Sequence, residues 1–598
     1  MYIRVNATKN SPRKSVQIVE GNRDQHTGKV KTKIIRHMGI AMNDEELIQL
    51  KQMAAAECVK LEQAADKQLK LPLDVPDDTE TRIEEKKMGR PSKKKLEDIA
   101  PPSEVKLSDL VEEKRINEGT NDIAGQMFND LGFDSILKSK KETDLLKHLV
   151  LARFIAPQSK EKTCRWLQEH EDKHYDSDQV YLLMDKIFKH IPSIKKMVYL
   201  QTKNLLPEQQ IDILFFDVTT LYFESVEPDE LREKGFSKDH KHHQTQVVLA
   251  LATNKDGLPI GYELFPGNTA EITTLIRSVG KWRVDFKIEK ICFVADRGLF
   301  SEENLTLLEE QKFEYVIGCP LRKLSQELQN KILDKNDYKV GTVGQDALLT
   351  KNIILSAVPQ KKPSKKSQEH ASEIVDMNSL KETDETAVIL KQERTIVASF
   401  SEKRAIKDAK ERQKLVDKLT KKIGKKGRTK NLVSNTGLLK LVTENNVSTV
   451  SVDPGKIAKD ALWDGMHGII TNKKDPNALD LIARYRGLWV IEESFRINKH
   501  NLQMRPIYHY KKERIEAHIA LCYMTFALAR HLQYRVKLRQ VEMSLDTIRE
   551  TLMSVQASIL IHTTTKDRYK IPSSTSHNAA KLYKVFDLKR SQNPSVYL

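Results

Sequence analysis

At 598 residues the chain is too long for a single hydrophobic core and implies roughly three or four folding units. Hydrophobic residues at 39% and charged residues at 31% are compatible with globular domains joined by polar segments and exclude a wholly disordered chain. Lys and Arg exceed Asp and Glu by 17, an excess that points to a polyanionic partner, nucleic acid first, with simple solubility as the competing reading.

Five scattered cysteines with no C-x-x-C pair argue against both a disulfide framework and a zinc site. The N-terminus has no apolar signal core, and the longest apolar stretch, near Ile519 to Ala529, is too short to span a bilayer. The expectation is a soluble protein that does not engage a membrane. A cytoplasmic, nucleoid-associated location follows from that and from the charge.

Residues 1–45 alternate apolar and polar positions around turn formers, which predicts a small antiparallel β domain. Residues 46–105 read as a helix and a basic linker, within which Gly89-Arg90-Pro91 resembles segments that lie in A·T-rich minor grooves; a plain basic linker is the competing reading. Three helices between about 143 and 191 define a helical domain over 106–205, with Lys160, Lys162 and Arg165 placed either to meet DNA or merely on a structural subdomain.

Over 206–330 the order is more legible. IDILFFDVTTLYF, QTQVVLALAT and LPIGYELF read as three strands, TAEITTLIRSVGKW as a helix, KICFVAD as a fourth strand, then a helix from Ser301 to Gln311 and the strand FEYVIGC. That succession matches a ribonuclease H-like α/β core, a mixed β-sheet flanked by helices, in which the fourth strand returns parallel to the first through a right-handed crossover. Residues 331–460 interrupt it as an insertion domain: a polar loop over 361–386, a strand RTIVASF, and a basic helix from about Ser401 with Ile406, Val416, Leu419 and Ile423 along one stripe. Residues 401–430 hold thirteen Lys or Arg against four Asp or Glu, so the helix either lines a phosphate backbone or is a solvated structural helix. The core resumes over 461–540, with a strand near 466–472 and a helix from NALDLIARYRGLWVIEESFRINKHNL; residues 541–598 give weak signals.

Asp217 and Asp296 each end an apolar run, ILFFD and CFVAD, which places carboxylates at strand ends in a shared site. Like charges that close need a cation, and Mg²⁺ prefers hard oxygen donors. Asp residues that merely cap strands are the competing reading. For the third acid, Glu492 and Glu493 compete. On one unbroken helix, Tyr485, Glu492, Arg496 and Lys499 share a face while Glu493 points about 100° away, which selects Glu492.

Tyr485-x6-Glu492-x6-Lys499 resembles the Tyr-Arg-Glu-Lys signature of bacterial insertion-sequence transposases of the DDE type. The phrases IDILFFDVTTLYFES, GFSKDHKHHQTQVVLAL, GLPIGYELFPGNTAE, FVADRGLFSEENL, WDGMHGIITN and IEESFRINKHNLQMRPIYHY are similar to segments of the same family, over roughly residues 205–535. One position departs, since the signature arginine corresponds to Leu488, and neither Arg484 nor Arg486 has that helical angle.

The resemblance implies Asp217, Asp296 and Glu492 as catalytic metal ligands for two Mg²⁺ ions, with Mn²⁺ as a substitute. It also implies double-stranded DNA, transposon ends and target, as partner, and a homodimer in a synaptic complex. Tyr485 and Lys499 become candidate DNA contacts by this likeness, to which Arg496, Lys238 and Arg297 are added as nearby cations. Trp489 either stacks on a displaced base or packs against the core sheet. Asp296 and Glu492 lie 196 residues apart, which accommodates the strand-rich insertion that such relatives carry. A transition-metal site at His240, His242 and His243 is disfavoured by its loose spacing, and no G-x-x-x-x-G-K-[ST] loop suggests a nucleotide cofactor. The competing functions are a ribonuclease H-like nuclease that cuts without joining and a non-catalytic DNA-binding protein derived from a transposase.

Overall fold

The computed structural model describes residues 2–7, 14–23, 30–41, 46–55, 57–58, 105–206, 211–224, 227–235, 243–286, 291–355, 393–423, 442–445 and 449–597. The Gly89-Arg90-Pro91 segment, the polar loop 361–386 and Lys238, His240 and His242 lie outside them. The chain forms two compact units, one of residues 1–210, 497–504 and 509–598, the other of 211–496 and 505–508.

In the first unit, Tyr2–Ala7, Lys14–Arg23 and Val30–Ala41 form the antiparallel sheet expected from their alternation. The three helices are Lys140–Ile155, Lys160–Glu171 and Ser177–Leu205. The last runs on past Pro192, where the sequence reading ended it. Its stripe of Ile187, Ile191, Ile194, Val198 and Leu205 stays buried, and that burial outweighs the hydrogen bond a proline forfeits. Lys512–Leu538 packs between the first and third of these helices with apolar side chains on almost every face.

Lys160, one of the cations read as available to DNA, is instead buried, its Nζ 3.2 Å from His518 Nδ1. Arg165 is exposed and paired with Glu161. The weak signals at the C-terminus resolve into a hairpin, Gln556–His562 and Arg568–Pro572, whose first strand pairs with Leu110–Asn117. Segments read separately as 106–205 and 541–598 thus share one sheet.

The second unit is built on a nine-stranded sheet. Its elements in chain order are β1 (Ile213–Tyr222), β2 (Gln246–Thr253), β3 (Pro259–Pro266), α1 (Glu271–Phe286), β4 (Cys292–Ala295), α2 (Glu302–Glu310), β5 (Glu314–Gly318), β6 (Lys339–Val343), β7 (Asp346–Leu355), β8 (Arg394–Phe400), α3 (Glu402–Ile423), β9 (Met466–Thr471), α4 (Ala478–Arg486) and α5 (Trp489–Arg496). The sheet order is β6-β7-β8-β9-β5-β4-β1-β2-β3. β1, β2 and β3 form an antiparallel meander, β4 lies parallel to β1, and β5 parallel to β4. This is the ribonuclease H-like topology expected from the element order.

Helices cover both faces, which is why β2 is buried along its whole length. Phe216 on β1 meets Trp282 of α1 edge-on at 5.9 Å. Phe215, its neighbour and therefore on the opposite face, meets the α4–α5 junction. A Cβ on Gly487 would stand 2.5 Å from Phe215 Cζ, so only glycine admits that approach.

The insertion is not a separate strand-rich body among the described residues. β9 pairs antiparallel with β5, β8 with β9 and β7 with β8, so these strands prolong the core sheet, while Val442–Asn445 and Thr449–Val452 pair with each other as a separate hairpin. Arg394 at the start of β8 locks the join. Its guanidinium donates to Glu309 of α2 at 2.6 and 3.0 Å and to Glu302 at 2.9 Å, while the Tyr315 hydroxyl of β5 donates to Glu309 at 2.7 Å. On the basic helix α3, Leu419 is buried against Leu415, Val416, Val452 and Ile457. Ile406, expected on that stripe, is 52% exposed.

Candidate active site

Strand register brings Asp217 and Asp296 together. The parallel pairing of β1 and β4 ends at Phe216 opposite Ala295, and the next residue on each chain segment is the aspartate. Partners in parallel register project to the same face. β4 stops there, whereas β1 runs on to Tyr222 against β2. Asp217 therefore stands in mid-strand and not at a strand end as the sequence suggested, and the cleft opens where its parallel neighbour gives out. Its Oδ1 accepts a hydrogen bond from Val218 N at 2.7 Å.

The helix expected over residues 477–502 is not continuous. α4 ends at Arg486, α5 starts at Trp489, and Ile497–Asn501 is a wider π-helical turn. Where Phe215 approaches Gly487 the chain makes tightened turns, Val490 N to Gly487 O and Ile491 N to Leu488 O, both 3.0 Å. The seven-residue arithmetic that put Tyr485, Glu492 and Lys499 on one helix face therefore does not hold.

Tyr485 and Glu492 nevertheless line one cavity of about 690 Å³ with Asp217 and Asp296. Lys499 falls in the other unit. Arg496 is directed to solvent, 3.7 Å from Glu493, and is not on the cavity wall. Trp489 is on that wall and 61% exposed, so it does not pack against the sheet. Arg297 lines a second cavity, of about 1050 Å³, which shares Asp296, His467, Tyr485 and Arg404 with the first.

The Tyr485 hydroxyl donates to Asp296 Oδ1 at 3.1 Å. Burial, then the Asp296 charge, raises the tyrosine pKa, so it remains a donor at neutral pH. Gly318, at the end of β5, makes room for this contact, because a Cβ there would lie 2.5 Å from the Tyr485 oxygen and 2.8 Å from the Arg297 nitrogen. His467 of β9 packs on the tyrosine with ring centroids 5.0 Å apart. Burial, then the charges of Arg404 and Arg297, holds its pKa down to about 4, so the imidazole is neutral at pH 7.

Sequence reasoning missed His467, Arg404 and Asp346 as cavity residues. For Arg404 a signal existed, since Ser401 follows the strand RTIVASF directly and caps a helix whose first turn must sit beside the sheet edge. For His467 and Asp346 none did. Leu488, at the signature's arginine position, is 9% exposed, with only apolar atoms to offer the cavity. Arg484 pairs with Asp480 at 3.1 Å; Arg486, although on the cavity wall, pairs with Asp346 at 3.1 Å and donates to Val343 O at 3.0 Å.

The donor chemistry fits a hard divalent cation, since the acids converging here offer oxygen and no cysteine lines the cavity, although the neutral His467 imidazole adds a nitrogen donor to its wall. Among the described residues no three His, Cys, Asp or Glu side chains are grouped closely enough to hold an ion. The acids share a cavity without forming a closed ligand set.

The family model for the transposase DDE domain matches residues 208–528, more than half of the chain. The chain belongs to this family. The match begins just before β1 and so takes in all the core strands and both halves of the cavity wall in this DDE transposase. None of the curated proteins compared matches the chain. Among solved structures it is similar to a piggyBac transposase in a synaptic complex with hairpin DNA, determined by cryo-electron microscopy, at 8% identity, covering 73% of this chain and 76% of that chain with a TM-score of 0.33. No described helix is long and apolar enough to cross a membrane.

Proposed function

We propose that this DDE transposase binds the terminal inverted repeats of its own element, cleaves the DNA there and joins the freed ends to target DNA, a cut-and-paste reaction at one site. The observation that carries the reading is the β1–β4 register, which sets Asp217 beside Asp296 in a cavity that Glu492 also lines. Family membership supports the reaction class.

In this reading Asp217, Asp296 and Glu492 hold two divalent ions, Mg²⁺ with Mn²⁺ as substitute. Such ions, held by these three carboxylates, would supply activation of the attacking oxygen and stabilisation of the leaving oxygen. The chain's own groups do the remaining work. Tyr485 fixes the orientation of the Asp296 carboxylate through its hydroxyl. Trp489, exposed on the wall, offers a face on which a base can stack. Arg297, on the adjoining cavity, is offered as a backbone contact; Lys499, Arg496 and Lys238 are proposed as further DNA contacts. DNA binding by the helical segment 106–205, pairing of two ends by a homodimer and a nucleoid location complete the proposal.

The test is a strand-transfer assay on a terminal-repeat duplex, intact or with a pre-cleaved 3′-hydroxyl end. Wild-type protein in Mg²⁺ is expected to nick the first and join the second, and Asp217→Asn, Asp296→Asn and Glu492→Gln to do neither while still binding DNA. Nicking without any joined product would favour a simple nuclease, and single variants active near the wild-type rate would overturn the site.

A further inference from the structure

We infer that Arg404, contributed by the insertion helix α3, is the side chain that binds the negative charge of the phosphate undergoing cleavage; this rests on the transposase reading above. A cavity walled by six carboxylates, Asp217, Asp296, Asp346, Asp408, Glu411 and Glu492, must admit a phosphodiester that is itself anionic, so a preorganised cation has to face it. Four Lys or Arg side chains line that cavity, Lys403, Arg404, Lys407 and Arg486.

Their commitments differ. Arg486 is held by Asp346 and the Val343 carbonyl. Lys403 stands 3.6 Å from the same Asp346, and Lys407 is 74% exposed, 3.9 Å from Glu411. Arg404 pairs with Asp408 at 3.7 Å, so like the two lysines, and unlike Arg486, it is in an ion pair too long for a hydrogen bond. It is also the Lys or Arg common to the two cavities on either side of Asp296 and Tyr485. Its charge reaches both His467 and Tyr485.

The sheet holds this arginine in place. The last residue of β8, Phe400, pairs with Met466 on β9. One residue on, Ser401 N donates to Gly465 O at 3.0 Å, and Gly465 N donates to Asp408 Oδ2 at 3.0 Å. Gly465 has φ 76°, and a Cβ on it would meet Ser401 O at 2.6 Å, so only glycine lets the turn before β9 seat the start of α3. Arg404 thus sits in the first turn of a 22-residue helix whose amino end carries partial positive charge. A guanidinium there presents a planar pair of donors that suits a phosphate, in the cavity where residue 488 is leucine.

The experiment uses the full chain and a duplex carrying the terminal inverted repeat that flanks its coding sequence. The scissile phosphate is either natural or replaced by an uncharged methylphosphonate, and affinity is read by fluorescence anisotropy in Ca²⁺. Arg404→Ala is expected to weaken binding of the natural duplex about tenfold and that of the methylphosphonate duplex by less than about twofold, with Arg404→Lys between them. Equal losses on both duplexes, or no loss on either, overturn the assignment. Cleavage of the natural duplex in Mg²⁺ is measured alongside. Undiminished cleavage by Arg404→Ala removes the arginine's role and leaves the transposase reading standing, whereas absence of cleavage by the wild type removes that reading and this inference with it.

Discussion

In the half of the sheet formed by β1–β5, acids stand where a parallel pairing stops, and their positions are set by register between strands that also form the core. In the half formed by β6–β9, the cavity receives Lys403, Arg404 and Lys407, with the acids Asp408 and Glu411, from a helix that follows a strand, and their positions depend on one tight turn at Gly465 and one buried ion cluster at Arg394. Within the sheet the two halves pair at β5 and β9, over three residue pairs, and the Arg394 cluster bridges them beside that seam. The register of β1 and β4 therefore sets Asp217 beside Asp296, while the turn at Gly465 sets the start of α3. This separation is what substitutions can break or sharpen.

The largest effect is expected on the acid half. Asp217→Asn, Asp296→Asn or Glu492→Gln should lower cleavage by about a thousandfold or more with little change in urea denaturation, because these groups are exposed or half-buried and serve chemistry more than packing. Loss of folding in all three would mean that the acids are structural and the separation false.

At the join, Arg394→Ala leaves Glu309 buried without its guanidinium partner and should destabilise the protein by about 3–5 kcal/mol in urea denaturation. A change below about 1 kcal/mol would mean that the cluster does not hold the halves together. On the cation half alone, Gly465→Ala introduces strain of about 1–2 kcal/mol at a left-handed residue and pushes against Ser401 O. It should weaken DNA binding while leaving Mn²⁺ affinity unchanged. An equal fall in both would tie the halves more tightly than the register suggests.

The smallest effect is on pH dependence. Burial holds His467 near pKa 4 in the folded chain, and His148 likewise, against 6.5 for an unperturbed imidazole. Between those values the unfolded chain binds more protons, so stability present above pH 6.5 is lost as pH falls toward 4. The urea midpoint should therefore drop between pH 7 and 4.5, and His467→Gln should flatten part of the drop. An unchanged slope would place the histidine in contact with water.

Much of the core was legible because β1–β5 are specified by local alternation and by apolar runs that end in turn residues. The pairing of Asp217 with Asp296 followed from the same strings. What was not legible depends on contacts far apart in sequence. β6 and β7 are edge-side strands, largely exposed or half-buried, whose apolar residues do not alternate strictly with polar ones. The strand Leu110–Asn117 finds its partner more than 400 residues later. Gly487 reads as a tolerated glycine in a helix until Phe215 is seen beneath it, and with that contact unknown the helical wheel selected Glu492 on a premise the structure does not meet. Burial of Lys160 was hidden for the same reason, since His518 lies 358 residues away.

The most direct measurement of the central claim is calorimetric titration of Mn²⁺ into the DNA-bound wild type and into the Asp217→Asn/Asp296→Asn/Glu492→Gln triple variant. Binding by the wild type that is lost in the triple variant is the predicted result; the same Mn²⁺ stoichiometry and affinity in both would contradict the account.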